Sequence, residues 1–325
     1  MKVIYGIEAI DPPLTHSVLS VGNFDGVHRA HRRVLEQAAA CAADAGGPVV
    51  VLTFEAHPLT IVAPAKAPPR LSLPNEKLRR LADAGVQIAV VARSEPALLT
   101  LDAERFVEEV LVRRFRPTHI VEGPSFGFGR GRKGTPDLLR RIAARFGCRV
   151  QIVEPVYTKL DDGETLMVSS SLIRNLLSLG RAREAALCLG YPYTLIGTVV
   201  RGVGRGRTLG FPTANLDIAD QLIPGEGVYA GRAMVDDTSF SCATSIGPAA
   251  TFGGTERHVE THLLGFDADL YGRTLRVEFD RFLRPQHKFA LPQDLVEQLR
   301  RDIHAVRTGA AQSNLPARDT EVPVR

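Results

Sequence analysis

The chain contains no tryptophan, and its four cysteines, Cys41, Cys148, Cys188 and Cys242, lie far apart with no CxxC pair. That spacing excludes the usual zinc and dithiol frameworks. It leaves buried free thiols in a reducing compartment as the expectation. No block of Lys and Arg reaches the length of a basic nucleic-acid-binding tail. The formal charge of +4 and the pI of about 9.0 are mild for 325 residues. Such a balance suits phosphate-bearing small molecules better than nucleic acid. No apolar run approaches the length that spans a bilayer. The opening MKVIYGIEAI lacks a basic region followed by a sustained apolar run, so no secretion signal is expected. The expectation is a soluble, cytoplasmic protein without a membrane partner.

What is present is ordinary globular composition, 44% apolar and 23% charged, in a chain long enough for two domains. The first half alternates strand and helix signals. Apolar runs at 17–21, 49–54, 86–92, 118–122 and 148–153 are predicted strands. Stretches 29–45, 75–84, 102–115 and 136–146 are predicted helices, several closed by a glycine. A proline-rich connection, with Pro58, Pro64, Pro68, Pro69 and Pro74, reads as irregular. Repeated β-α alternation predicts a parallel, Rossmann-like α/β sheet covered on both faces. Two short helices, 170–179 and 182–189, close this half. Beyond residue 190, short strand-like runs at 194–200, 228–235, 240–246, 258–264 and 274–280 predict a small β-barrel or sandwich. An amphipathic helix follows over 291–306. The expected domains are 1–185 and 186–307, with 308–325 as a disordered tail.

Gly22-Asn23-Phe24-Asp25-Gly26-Val27-His28-Arg29-Ala30-His31 sits between the first predicted strand and helix. Ligands of open α/β sheets bind there. A glycine turn leading into a helix N-terminus offers backbone N–H groups to phosphate. His28 and His31, on the first helical turn, face the same phosphates and can donate to charge developing during nucleotidyl transfer.

These residues resemble the first motif of the HxGH nucleotidylyltransferases, in the form found in prokaryotic bifunctional riboflavin kinase/FAD synthetases. Further segments resemble that family in the same order: Phe54-Glu55-Ala56-His57-Pro58, the glycine-rich loop from Val121 to Gly134, and Val168-Ser169-Ser170-Ser171-Leu172-Ile173-Arg174. The resemblance implies an ATP site built from Gly22, Phe24, Asp25, Gly26, His28, His31, Ser169, Ser170 and Arg174. Serines at a helix start with an arginine one turn on make an anion clamp. It also implies a flavin or nucleotide loop containing Ser125, Phe126, Phe128 and Arg132. The chain departs from the family at Ala30, where the motif has glycine, and at Ser125, where the loop usually carries Asp or Asn.

In the second half, Gly202, Gly204 and Gly206 interleave with Arg201, Arg205 and Arg207, a cationic loop suited to phosphate. Gly210-Phe211-Pro212-Thr213-Ala214-Asn215 follows. Thr213 and Asn215, two apart in extended chain, face the same way and can share a hard cation such as Mg2+. This string resembles the riboflavin kinase signature. Gly227-Val228-Tyr229-Ala230, Ser245-Ile246-Gly247 with Thr251-Phe252, and Val259-Glu260-Thr261-His262-Leu263-Leu264 continue the resemblance. It implies an ATP site at Gly202, Gly204, Arg205, Arg207, Gly210, Pro212, Thr213 and Asn215, the metal on Thr213 and Asn215, and Glu260 as the catalytic carboxylate.

The resulting expectation is a bifunctional transferase. The C-terminal domain phosphorylates riboflavin to FMN, and the N-terminal domain adenylylates FMN to FAD, both with ATP and Mg2+. Two readings remain beside it: a riboflavin kinase alone, motivated by Ala30 and Ser125, and a non-catalytic flavin- or RNA-binding regulator, motivated by the pI. Oligomeric state is left open, as is the identity of the ring-stacking residues among the many Phe and Tyr.

Overall fold

The computed structural model describes residues 1–11, 14–202, 204–248 and 257–309. Thr251, Phe252 and residues 310–325 of the tail expected over 308–325 therefore lie outside the described residues, whereas Thr308, expected in that tail, is the last residue of a helix. The chain divides into two compact units: Met1–Lys159 with Gly163–Ser170, and Leu160–Asp162 with Ser171 onward.

The first unit is built on a six-stranded, all-parallel sheet. Its strands are β1 (Lys2–Tyr5), β2 (Ser17–Val21), β3 (Val49–Phe54), β4 (Ile88–Ala92), β5 (Pro117–Glu122) and β6 (Arg149–Ile152), in the order β1-β4-β3-β2-β5-β6. The strand alternation divides the core into two. Leu19, Val21, Val50, Leu52, Val90 and Ile120 face one layer, with Phe106, Leu111, Leu139 and Ile142 from the helices upon it. Val18, Val49, Val51 and Val121 face the other, with Leu35, Ala38 and Leu81. Both faces are covered, so the central strands read as continuous apolar runs.

Most predicted elements of this half are present. The edge strand β1 was not foreseen: four residues with none buried, ended at once by Gly6, carry no periodic signal. Inside the predicted helix 102–115, Phe106–Val112 is a π-helical stretch that keeps Phe106, Val107, Val110 and Leu111 in the core. The proline-rich connection forms two short turns of helix, Leu59–Val62 and Pro64–Lys66. A two-stranded antiparallel hairpin, β7 (Tyr157–Lys159) and β8 (Thr165–Met167), follows the sheet and was also not foreseen.

The second unit is a closed antiparallel barrel. It comprises β9 (Tyr193–Val200), β10 (Ala214–Asp217), β11 (Gly227–Val235), β12 (Thr238–Pro248), β13 (Arg257–Leu263) and β14 (Thr274–Arg284), in the order β10-β13-β12-β11-β14-β9. Pairing of β9 with β10 closes it. Closure removes the edge strands that an open sheet would expose. Tyr193, Tyr229 and Phe279 fill its core, and the Tyr229 hydroxyl donates to the Gly225 carbonyl at 2.5 Å. The helix Ala182–Leu189, expected in the first half, packs on β14 and β9 in this unit. At its start the buried Arg181 side chain is held by Glu184 and by Asp162, the latter at 2.8 Å. All four cysteines are buried and stand outside any disulfide.

The helix Pro292–Thr308 is tied to the barrel by the buried pair Arg284–Asp302, in which Nη2 donates to Oδ2 at 2.7 Å and Nε to Oδ1 at 2.9 Å. Removing one partner strands the other as a buried charge, which costs about 3–5 kcal/mol, whereas replacing both with apolar groups is often neutral. Asp302→Ala is therefore expected to destabilise the barrel by that amount in urea unfolding, and Arg284→Leu/Asp302→Leu to recover most of it.

Candidate functional sites

In the first unit, the chain runs outward from β2 through β3 to β4 in one direction and through β5 to β6 in the other. The strand order thus reverses between β2 and β5, and a crevice opens at their carboxyl ends. Residues 22–28 leave β2 there, and residues 123–134 leave β5.

The turn after β2 is held in an unusual backbone. Phe24, Gly26 and Val27 all have positive φ, at 49°, 79° and 37°. A β-branched residue in that region is strained, by roughly 1–3 kcal/mol, and persists only where its surroundings impose it. Here they do. The Asp25 carboxylate accepts the Leu71 and Ser72 N–H groups at 3.0 and 3.1 Å, and Gly26 N–H donates to the Ser72 hydroxyl at 3.1 Å. The Ser170 hydroxyl donates to the Asp25 carbonyl at 3.1 Å. Asp25 therefore shapes the loop through its neighbours.

His28 is the N-cap of the helix Arg29–Ala45, its Nδ1 accepting the His31 N–H at 3.4 Å. That bond puts the proton of a neutral His28 on Nε2, available as a donor. The His28 and His31 rings stack with centroids 3.6 Å apart and planes 16° apart, and Phe24 lies 5.1 Å from His31. Two charged imidazoles at that distance would repel. Burial, His28 and Lys77 hold His31 well below the ordinary histidine range, so it is neutral before an anion arrives. A bound polyphosphate reverses the sign of the local field and favours protonation.

On the β5 side, Arg132 reaches back to donate to the Ser125 carbonyl at 3.2 Å and closes the loop. Ser125 and Arg132 are exposed. Phe128 is buried against Phe106 and bridges to Gly134, while Phe126 stacks upon it at 5.3 Å. The two phenyl rings thus differ: Phe128 belongs to the core, and Phe126 lies half-buried above it. Ser169 and Ser170 stand at the start of the helix Ser170–Ser178, in the first unit, and Arg174 lies one turn on, in the second.

Two residues at this site carried no expectation. Glu122, at the end of β5, is buried, and its carboxylate accepts the Val21 N–H at 2.6 Å, stitching the two strands at the crevice. Lys77, from the helix Pro74–Asp83, donates to three oxygens beneath the turn.

In the barrel, β10 and β13 pair in a register that sets Asn215 opposite Glu260 and Ala214 opposite Thr261. Buried Val259, Thr261 and Leu263 alternate with Glu260 and His262, so the latter pair faces outward. Asn215 alternates likewise with buried Ala214 and Leu216. The Thr213 hydroxyl is 3.4 Å from the Glu260 carboxylate. On its other side Glu260 is opposite Ser245, which Gln286 contacts at 2.6 Å. His262 Nδ1 lies 2.7 Å from the Pro212 carbonyl, pinning the backbone just before Thr213.

The preceding loop is packed against these residues. A Cβ on Gly202 would lie 2.2 Å from the Asn215 amide, and one on Gly206 would lie 2.4 Å from the Phe211 carbonyl. A side chain at 202 would have to displace the Asn215 side chain, and one at 206 would have to displace backbone. Gly204 and Gly210 have φ of 76° and 82°, flanking the short helix Arg205–Thr208, and exposed Arg207 lies within that helix. The structure thus brings Gly202, Thr213, Asn215 and Glu260 together, with Pro212 fixed by His262.

A nucleotide-type crevice on a parallel sheet, followed by a barrel with an oxygen-rich strand pair, defines a transferase acting on phosphorus-containing groups. The FAD synthetase family matches residues 11–171 and the riboflavin kinase family residues 189–309. A bifunctional riboflavin kinase/FMN adenylyltransferase from Escherichia coli (strain K12) is 35% identical over 304 residues, covering 93% of this chain and 96% of that one. The protein of the same description from Pseudomonas fluorescens is 33% identical, covering 96% and 99%. A solved structure from Streptococcus pneumoniae, described as a macrolide-efflux protein, shares the fold with a TM-score of 0.84 at 30% identity, covering 95% of this chain and 99% of that one. No helix among the described residues of this chain is long and apolar enough to cross a membrane. The chain belongs to the bifunctional riboflavin kinase/FMN adenylyltransferase family.

Burial pushes the Glu122 carboxyl well above the ordinary carboxylate range, against the opposing pull of the Val21 N–H. Folding then binds a proton that the unfolded chain has already released. Stability is expected to fall as pH rises from the ordinary carboxylate pKa through the raised one. Glu122→Gln removes that slope and gains stability over the parent at the upper end of the window, as urea unfolding at a series of pH values would record.

Proposed function

We propose that the barrel phosphorylates the 5′-hydroxyl of riboflavin and that the parallel-sheet unit adenylylates the resulting FMN. The observation that carries the kinase reading is Glu260 set across one ladder rung from Asn215, with the Thr213 hydroxyl at 3.4 Å. A carboxylate there accepts the proton of the alcohol as its oxygen attacks the γ-phosphorus of ATP and ADP leaves. Thr213 and Asn215 offer hard oxygens, too few for a full shell. They fit Mg2+, which keeps waters and takes phosphate oxygens alongside one or two protein ligands. When bound, that ion would neutralise charge on the transferring phosphate. The Gly202–Arg207 loop, packed on Asn215, supplies backbone N–H groups for the remaining phosphates.

In the first unit, an FMN phosphate oxygen attacks the α-phosphorus of a second ATP and pyrophosphate leaves. His28, through Nε2–H, and His31, beside it, donate to the charge that develops on the phosphates. The helix N-terminus adds its dipole. No covalent enzyme intermediate is needed, since positioning and electrostatics supply the catalysis. Ser169 and Ser170 sit where they can hold the outer phosphates. In this reading exposed Ser125 and half-buried Phe126 meet the flavin or the adenine.

A time course with riboflavin and Mg-ATP, flavins being separated by chromatography, is expected to yield FMN first and FAD later. Untouched riboflavin would refute the kinase assignment, and FMN without FAD the adenylyltransferase one. Glu260→Gln should slow FMN formation by about 10²–10⁴-fold while leaving FAD formation from supplied FMN intact. His31→Ala should do the reverse, lowering FAD formation by about 10²–10³-fold.

A further inference from the structure

The turn after β2 is gripped from one short stretch of chain, residues 71–77. Leu71 and Ser72 hold Asp25 and Gly26. The third grip is Lys77, whose ammonium donates to the Phe54 carbonyl at 2.8 Å, the Thr53 hydroxyl at 3.2 Å and the Asn23 carbonyl at 3.4 Å. The Thr53 hydroxyl itself donates to the Asn23 carbonyl at 3.1 Å. Three donors meet three oxygens, and the turn after β2 is thereby locked to the end of β3.

We propose that Lys77 is a positioning residue for adenylyl transfer: its ammonium fixes the Asn23 carbonyl, and with it the strained Phe24–Val27 backbone that presents His28 and His31. This rests on the reading of that turn as the ATP phosphate site. A half-buried cation whose three protons are all engaged by protein oxygens acts through the loop. Its position also explains part of His31's neutrality, because the two positive groups oppose one another.

Lys77 is not a permanent charge. Burial lowers its pKa to about 8, with the Asp25 carboxylate opposing the shift and Arg70 adding to it. Deprotonation removes one donor and the charge, and the tie to Asn23, the longest of the three, is the one expected to go. The groups facing Lys77 are thus Asp25 in the turn, Arg70 in the preceding connection and His31 on the following helix.

The test uses the full chain and measures the ATP dependence of FMN adenylylation, with riboflavin phosphorylation in the same preparation as an internal control. In the parent enzyme, KM for ATP in FAD formation is expected to rise as pH passes about 8, with phosphorylation not following that rise. Lys77→Met should lower kcat/KM for ATP by about 10²-fold without affecting phosphorylation. Lys77→Arg, which keeps its charge at any accessible pH, should recover part of the loss and lack the rise in KM near pH 8. A parent KM that is flat through that pH, or a Lys77→Met enzyme with parental kinetics, overturns the proposal. The parental pH profile decides even where a variant fails to fold. A parent that makes no FAD at any pH refutes the adenylyltransferase reading itself, a result distinct from either outcome for Lys77.

Discussion

The first unit's site depends on a carboxylate bonded to the protein's own backbone. Asp25 accepts two backbone N–H groups from Leu71 and Ser72, which fixes a turn whose backbone would otherwise relax. Phe24 and the β-branched Val27, both in the left-handed region, store strain that external ties maintain. The return is that the helix beginning at Arg29 starts with its N-terminus and two histidines directed at one place. Glu122 performs the matching task across the crevice, tying the ends of β2 and β5 by a single bond to Val21.

The barrel solves the same problem by another route. Asn215 and Glu260 lie on paired strands, not on a loop. Asn215 and Glu260 are opposite by register, so their separation is set by the ladder and not by side-chain packing. Gly202 lies so close to Asn215 that a side chain at 202 would push the Asn215 amide from its place. Elements built on paired strands are more rigid than loops, which suits a reaction needing a base and phosphate held together.

Much of this was legible in the sequence. The central strands of the sheet were continuous β-branched runs, and the histidine pair stood where a strand, a glycine turn and a helix meet. Thr213, Asn215 and Glu260 were marked by a rare string and by family resemblance. Other features were silent for physical reasons. Residues 214–217 alternate properly but span only four positions after a proline, too few to separate a strand from a loop. Edge strand β1 buries nothing, so it has no pattern. Lys77 reads as an ordinary charged residue on an amphipathic helix, and its oxygen partners come from Asn23, Thr53 and Phe54, far from it in sequence. Glu122 lay within a motif, but a carboxylate ending a strand does not announce that it will be sealed from water. The second unit's early helices were placed in the first half because their period says nothing of which core they cover.

Strand β10 closes the barrel, pairing with β9 on one side and β13 on the other, and it is also the strand that carries Asn215. A barrel lacking this strand is open, and an open barrel lacks half the polar group around Glu260. Folding and assembly of that group are therefore a single event. Every closed barrel has Asn215 and Glu260 held across the same ladder.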